Sequence, residues 1–205
     1  MKDLIRRYPS LEFCREDIIL ATKKIIECYK SGGKLLLVGN GGSAADCEHI
    51  VGELAKGFLS KRPLSEKKRE QMKALSPLIS DELLSQLQRG LPAISLPHVC
   101  ALNSAFSNDV NPEYIYAQGV LAFGKPGDTL IAISTSGNAR NVIHAADTAR
   151  AVGMTVIALS GISGGELKKH SDVAICVPES ETYKIQELHL PTYHYICAKI
   201  ESTLF

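Results

Sequence analysis

Lys34-Leu35-Leu36-Leu37-Val38-Gly39-Asn40-Gly41-Gly42-Ser43 is the stretch that decides the fold. A short aliphatic run reads as a strand, and the glycine-rich turn that ends it leads into a helix predicted from Ala44 to about Phe58. Upstream, Ile18, Ile19, Ala21, Ile25, Ile26 and Tyr29 recur at helical spacing, which predicts a helix over residues 11–30 stopped by Ser31-Gly32-Gly33.

The same alternation continues downstream. Strands are predicted at Thr129–Ser134, Thr155–Leu159 and Val173–Val177, with Ala93-Ile94-Ser95-Leu96 as a fifth. Helices are predicted at about Asn138–Val152, at Gly165–His170 and, last, from about Tyr183 to Thr203. Strands alternating with helices imply an α/β fold with a parallel, doubly wound sheet covered on both faces. The 205 residues suffice for one such domain over 1–205 and are short for two. Residues 60–90 break the pattern with Lys61, Arg62, Glu66, Lys67, Lys68, Arg69, Glu70 and Lys73. A charge run of this kind reads as a solvated helical insertion; a lid or a subunit contact is the sharper alternative.

Composition closes off several function classes. A formal net charge of +1 provides no field to draw the chain to nucleic acid or to a membrane surface, and the absence of Trp weakens base stacking. No apolar run is long enough to span a bilayer. Cys14, Cys28, Cys47, Cys100, Cys176 and Cys197 form no Cys-x-x-Cys pair, and Cys28, Cys100, Cys176 and Cys197 lie in apolar segments as small hydrophobes. That usage, with no signal peptide at the N-terminus, predicts a reducing, cytoplasmic setting.

In doubly wound sheets ligands bind beyond the carboxyl ends of the strands. The loops predicted there include Gly39–Ser43 and Ser134–Asn138, both rich in Gly, Ser, Thr and Asn. Backbone N–H groups, helix N-termini and the hydroxyls of Ser134, Thr135 and Ser136 suit a phosphate. Helix caps and tight turns use the same residues, so it is the pair of loops on one rim that favours the phosphate. A nucleotide cofactor is not expected. Gly39-x-Gly41-x-x-Ala44 lacks the acidic residue that a dinucleotide fold places about 20 residues on, and no Gly-Lys-Ser/Thr follows as in a P-loop.

Proton-transfer groups cluster on two helices. His49 and Glu53 are four apart and share a face. The last helix carries Gln186, Glu187, His189 and His194, with Glu187 and Gln186 each near the face of His194. His98, His144 and His170 read as ordinary surface or core residues. A zinc hydrolase is disfavoured because no His-Glu-x-x-His helix exists.

Gly39-Asn40-Gly41-Gly42-Ser43, His49, Glu53, Asn108-Asp109, Ser134-Thr135-Ser136-Gly137-Asn138, Ile185-Gln186-Glu187-x-His189 and His194 occur in that order. The ordered set spans nearly the whole chain and resembles the phosphoheptose isomerase branch of the sugar isomerase (SIS) family. The resemblance implies a three-layer αβα sandwich on a five-stranded, flavodoxin-like parallel sheet. It also implies a homotetramer with active sites between subunits, and conversion of sedoheptulose 7-phosphate to glycero-manno-heptose 7-phosphate through an enediol. By position, Asn40, Gly41, Gly42, Ser43, Glu53, Asn108, Asp109, Ser134, Thr135, Ser136 and Gln186 would contact substrate. Glu53 and His194 would be the acid–base pair, and His49, Glu53, Gln186 and His194 the ligands of a zinc ion. Such chemistry needs a carboxylate base, a second acid–base group and a stabiliser for the developing oxyanion. Three features depart from the family pattern: Ala139 where a Ser commonly stands, Pro191 within the last helix, and a longer insertion between Glu53 and Asn108. A non-catalytic SIS protein that binds phosphosugars or protein partners is the alternative, and the presence of both Glu53 and His194 favours the enzyme.

Overall fold

The computed structural model describes residues 1–205. Helix α1 (Lys2–Arg7) and a 3-10 turn over Pro9–Cys14 lead into α2 (Arg15–Lys30), and then into β1 (Leu35–Val38) and α3 (Gly42–Ala55). The insertion supplies α4 (Glu66–Leu75) and α5 (Asp81–Gln86) before β2 (Ala93–Ser95). There follow α6 (Cys100–Asp109), α7 (Ile115–Phe123), β3 (Thr129–Ile133), α8 (Arg140–Val152), β4 (Thr155–Ser160), β5 (Val173–Cys176) and α9 (Thr182–Leu204). No helix is long and apolar enough to cross a membrane.

All five strands pair in parallel, in the order β2-β1-β3-β4-β5. The predicted α/β sheet is therefore present, including the fifth strand at Ala93. Alternate side chains feed two cores. Leu35, Leu37, Ile131, Ile133, Ile157 and Leu159 face one layer, where α2, α3 and α9 contribute Ile18, Ile25, Ile50, Leu54, Ile196 and Ile200. Leu36, Val38, Leu130, Ala132, Val156 and Ala158 face the other, against Val120 of α7 and Val142, Ala145 and Ala149 of α8. Burial on both faces explains why the strands read as unbroken apolar runs. After β1 the chain moves to β2, then returns past β1 to β3. That reversal of direction opens the crevice of a doubly wound sheet between the ends of β1 and β3.

Several expectations need correction. The predicted first helix begins as a 3-10 turn and becomes α-helical only at Arg15. The helix after the first glycine loop ends at Ala55 rather than near Phe58, and that after the second begins at Arg140 rather than Asn138. Cys100, read as a small buried hydrophobe, is exposed; the other five cysteines are buried. Pro191 does not end α9.

Arg62, read as part of a solvated charge run, is fully buried. Its Nε donates to Glu201 Oε1 at 2.7 Å, and its two terminal nitrogens donate to the carbonyls of Leu54 (2.8 Å) and Glu53 (3.2 Å) at the end of α3. Glu201 of α9 also accepts the N–H groups of Phe58 (2.8 Å), Leu59 (2.8 Å) and Ser60 (3.1 Å). The carbonyls at the end of a helix lack intrahelical partners, and here an arginine from the insertion supplies them. Burial alone would raise the Glu201 pKa. The hydrogen bonds from the Phe58 N–H, the Arg62 side chain and the Leu59 N–H outweigh it and hold the carboxyl below its ordinary value. A carboxyl depressed on folding stabilises the fold above its unfolded pKa, and that contribution is lost as pH falls through the folded value.

Removing one partner of a buried pair strands the other charge. Arg62→Ala should cost about 3–5 kcal/mol in denaturant unfolding, whereas Ala at the exposed neighbour Lys61 should cost no more than about 0.5 kcal/mol. Equal, small losses at both positions would contradict the buried clamp.

Candidate active site

The two glycine-rich loops leave the carboxyl ends of β1 and β3, which are neighbours in the sheet. In the first, Gly41 has φ +55°, a left-handed conformation that glycine adopts without penalty. Asn40 is held from two sides. Its carboxamide exchanges hydrogen bonds with that of Asn141 (2.9 and 3.0 Å), and its Oδ1 lies 3.2 Å from the Tyr116 hydroxyl, which also donates to the Gly39 carbonyl at 2.8 Å. Ser43 is buried at the start of α3. The amide of Gln186, from α9, packs so closely on Gly42 that a Cβ there would lie 2.4 Å from its Nε2. Glycine at position 42 is thus what admits Gln186 to the loop.

In the second loop Ser134 is buried, Thr135 half-buried and Ser136 exposed. Gly137, at φ +68°, is pressed against Gly164, whose carbonyl would lie 2.0 Å from an added Cβ. Asn138 braces the turn: its N–H donates to Ser136 Oγ (3.1 Å), its side-chain amide donates to the Ser136 carbonyl (3.1 Å), and its Oδ1 accepts the Glu166 N–H (3.0 Å). The N–H groups of Asn40, Gly41, Thr135 and Ser136 donate to no backbone carbonyl. Ala139 precedes α8 without a side-chain cap, so the first N–H groups of that helix are also open. These groups lie in loops that follow neighbouring strands, and unpaired N–H groups of this kind suit an oxyanion.

The ionisable cluster lies where α3 meets α9. His49 Nε2 is 3.4 Å from Glu53 Oε1 and 3.3 Å from His194 Nε2. Lys56 Nζ is 3.3 Å from Glu53 Oε2. The Phe58 ring lies 5.5 Å from that of His194. Burial, and next the neighbouring His49, lower the His194 pKa below the ordinary imidazole value, which favours the neutral ring. Glu187, offered by spacing as a partner of His194, is exposed, and the ring that meets His194 is that of His49. His189 is fully buried, and burial lowers its pKa to about 4, so it stays neutral. Sequence reasoning did not find Tyr193, whose hydroxyl lies 3.1 Å from Asp46 Oδ1 and 3.0 Å from His49 Nδ1. Burial, then Asp46, raise its pKa well above the ordinary phenol value.

Asn108 and Asp109 stand apart. They are exposed at the end of α6 and bonded to each other at 2.8 Å, with no hydrogen bond to the loops or to the His49–Glu53–His194 cluster. An open cleft of about 690 Å³ runs beside His194, lined in part by Leu4, Arg7, Tyr8, Phe58 and Leu190. No three His, Cys, Asp or Glu side chains are gathered as a complete metal-ligating group. His49 nevertheless has two donor-to-donor spacings, 3.3 and 3.4 Å, close to the edge of a zinc tetrahedron with bonds of about 2.0–2.1 Å.

A flavodoxin-like sheet order with two glycine-rich loops flanking its switch point is the arrangement expected of an SIS-type domain. The SIS domain profile matches residues 9–81 and 83–161. Among curated proteins, the phosphoheptose isomerase of Roseiflexus sp. (strain RS-1) is 39% identical over 188 residues, covering 92% of this chain and 82% of its own length. That of Crocosphaera subtropica is 41% identical over 177 residues, covering 86% and 77%. The structure of a phosphoheptose isomerase from Neisseria gonorrhoeae superposes with a TM-score of 0.77 at 31% identity, covering 98% of this chain and 94% of the other. The chain belongs to the SIS domain family, in its phosphoheptose isomerase branch.

Inorganic phosphate titrated into the labelled protein should shift the amide resonances of Thr135 and Ser136 first. Shifts confined to the lysine-rich insertion would contradict an anion site on this rim.

Proposed function

We propose that this chain is an aldose–ketose isomerase that converts sedoheptulose 7-phosphate to D-glycero-D-manno-heptose 7-phosphate. The observation that carries this reading is the meeting of Glu53, His49 and His194 at the α3–α9 junction, on the helix that begins at the first glycine loop. The kinship with phosphoheptose isomerases supports the seven-carbon substrate. A non-catalytic binding role would leave this convergence of a carboxylate with two imidazoles unexplained.

In the reaction, open N–H groups and hydroxyls of Asn40–Ser43 and Ser134–Ser136 hold the phosphate and fix the sugar. Gln186 and, from the exposed end of α6, Asn108 and Asp109 contact the sugar hydroxyls. Glu53 removes the proton next to the ketose carbonyl. His194 moves the proton between the two oxygens, and the enediol collapses when Glu53 returns its proton to the neighbouring carbon. Asn40 is held by Asn141 and Tyr116 before substrate arrives, which lowers the cost of orientation.

Zinc fits the donor set. His49, Glu53, Gln186 and His194 would hold it, and two of their spacings already match its geometry. When bound, the ion would polarise the substrate carbonyl as a Lewis acid. No nucleotide cofactor enters the reaction.

Active sites between subunits of a homotetramer explain why Asn108 and Asp109 lie exposed: each pair would serve a neighbouring chain. The cleft beside His194 would be covered in the same assembly. Light scattering should give about four times the 22.2 kDa chain mass, and a monomer at working concentration would contradict this. Six cysteines without a disulfide accord with a cytoplasmic enzyme.

Glu53→Gln should abolish isomerisation with folding intact, and His194→Ala should cost at least ~10²-fold in kcat. A chelator should lower activity, and added zinc should restore it. Full activity in Glu53→Gln removes Glu53 as the base, and an active, metal-free preparation indifferent to chelator removes zinc.

A further inference from the structure

Four groups on α3 and α9 form one chain of contacts: His194 Nε2 to His49 Nε2 at 3.3 Å, His49 Nδ1 to the Tyr193 hydroxyl at 3.0 Å, and that hydroxyl to Asp46 Oδ1 at 3.1 Å. A hydroxyl offers one proton, and an ionised carboxylate only accepts. With Asp46 at one end, the Tyr193 proton goes to Asp46, and the Tyr193 oxygen must then accept from His49. A neutral imidazole carries a single N–H, so that proton sits on Nδ1 and Nε2 is bare. His194 Nε2–H in turn donates to His49 Nε2. Glu53 Oε1 lies 3.4 Å from His49 Nε2, beyond the ordinary N–H···O range, whereas the Tyr193 oxygen lies within it, 3.0 Å from Nδ1, so the shorter contact at Nδ1 holds the proton.

We propose that Asp46 and Tyr193 are positioning residues that fix the tautomer of His49, holding its proton on Nδ1 and presenting a bare Nε2 to Glu53 and His194. The inference deepens the isomerase reading, since it assigns the groups that prepare that site. It also states what they accomplish. A bare Nε2 is the form that accepts a proton from His194 or holds a metal ion, whereas a protonated one can do neither. Ligating histidines are commonly oriented by a hydrogen bond at their other nitrogen; here that bond comes from a phenol, itself directed by a carboxylate. The relay also stiffens the ring, because His49 is otherwise half-exposed on the surface of α3, with 42% of its side chain open. Tyr193 joins the two helices at the same time: its ring is buried in the core and its hydroxyl reaches across to α3.

The tautomer is directly observable. Long-range ¹H–¹⁵N correlation of protein labelled at histidine and freed of metal, recorded above the imidazole pKa, distinguishes protonated from bare nitrogens in each ring. The His49 signals are identified by their loss in His49→Gln. Wild type should show His49 with the proton on Nδ1. Tyr193→Phe, which removes one oxygen and keeps the ring, should move the population toward the Nε2–H form and lower kcat ~10-fold or more with little change in KM. Asp46→Asn, which removes the charged acceptor, should shift the tautomer in the same direction and guards against a folding defect peculiar to Tyr193→Phe. A wild-type His49 already protonated on Nε2, or a tautomer unmoved in both variants, overturns the proposal. The spectrum is read without substrate, so failure of the isomerase reading would leave it unaffected and separately recognisable.

Discussion

The buried pair of Arg62 and Glu201 is the constraint on which the site depends. Catalytic candidates lie on two helices far apart in the chain, and nothing within either helix sets their relative position. Arg62 holds the carbonyl end of α3 at the carbonyls of Glu53 and Leu54, and Glu201 holds the chain leaving α3 from its place on α9. Burying two charges costs several kcal/mol per ion unless their hydrogen-bonding capacity is used. Here three main-chain N–H groups, two main-chain carbonyls and the ion pair itself use it. The geometry that brings His49 within 3.3 Å of His194 follows from that fastening. Phe205 adds to it, with the Arg62 guanidinium 4.6 Å from its ring centroid.

The sheet does the other half of the positioning. Because the chain changes direction after β2, the loops of β1 and β3 flank one crevice, and both are built from glycines and small polar residues. Gln186 links the two halves. It leaves the same helix as His194 and rests on Gly42 in the first loop. A phosphorylated sugar can then be gripped at the rim while its carbonyl end is presented to the α3–α9 junction. In the proposed reaction this division would separate binding from chemistry: the loop N–H groups would hold charge that is constant through the reaction, and the cluster would handle the proton that moves.

The strands and both loops were legible because doubly buried strands announce themselves as unbroken apolar runs and because glycine marks the turns. His49, Glu53, Gln186 and His194 were legible by spacing and by likeness to a known family. Arg62 was not, because a buried arginine in a lysine-rich run has no local signature; only the distant Glu201 reveals it. Tyr193 and Asp46 were missed for a similar reason, being 147 residues apart with no shared motif. Helix α6 was missed although Leu102, Ala105 and Phe106 recur at helical spacing, a short pattern on a helix that buries no residue fully. Asn108 and Asp109 were identified by likeness alone, and their exposed position in one chain gives no independent reason to select them.

The central claim is that this cluster moves a proton through an enediol on a seven-carbon sugar phosphate. Its most direct test is to incubate the protein with sedoheptulose 7-phosphate in D₂O and follow the product by NMR. Proton transfer through Glu53, whose side chain keeps 15% of its surface exposed for exchange with solvent, predicts heptose 7-phosphate carrying deuterium at C2. Product formed with no deuterium at all, or no product from this ketose, would contradict it.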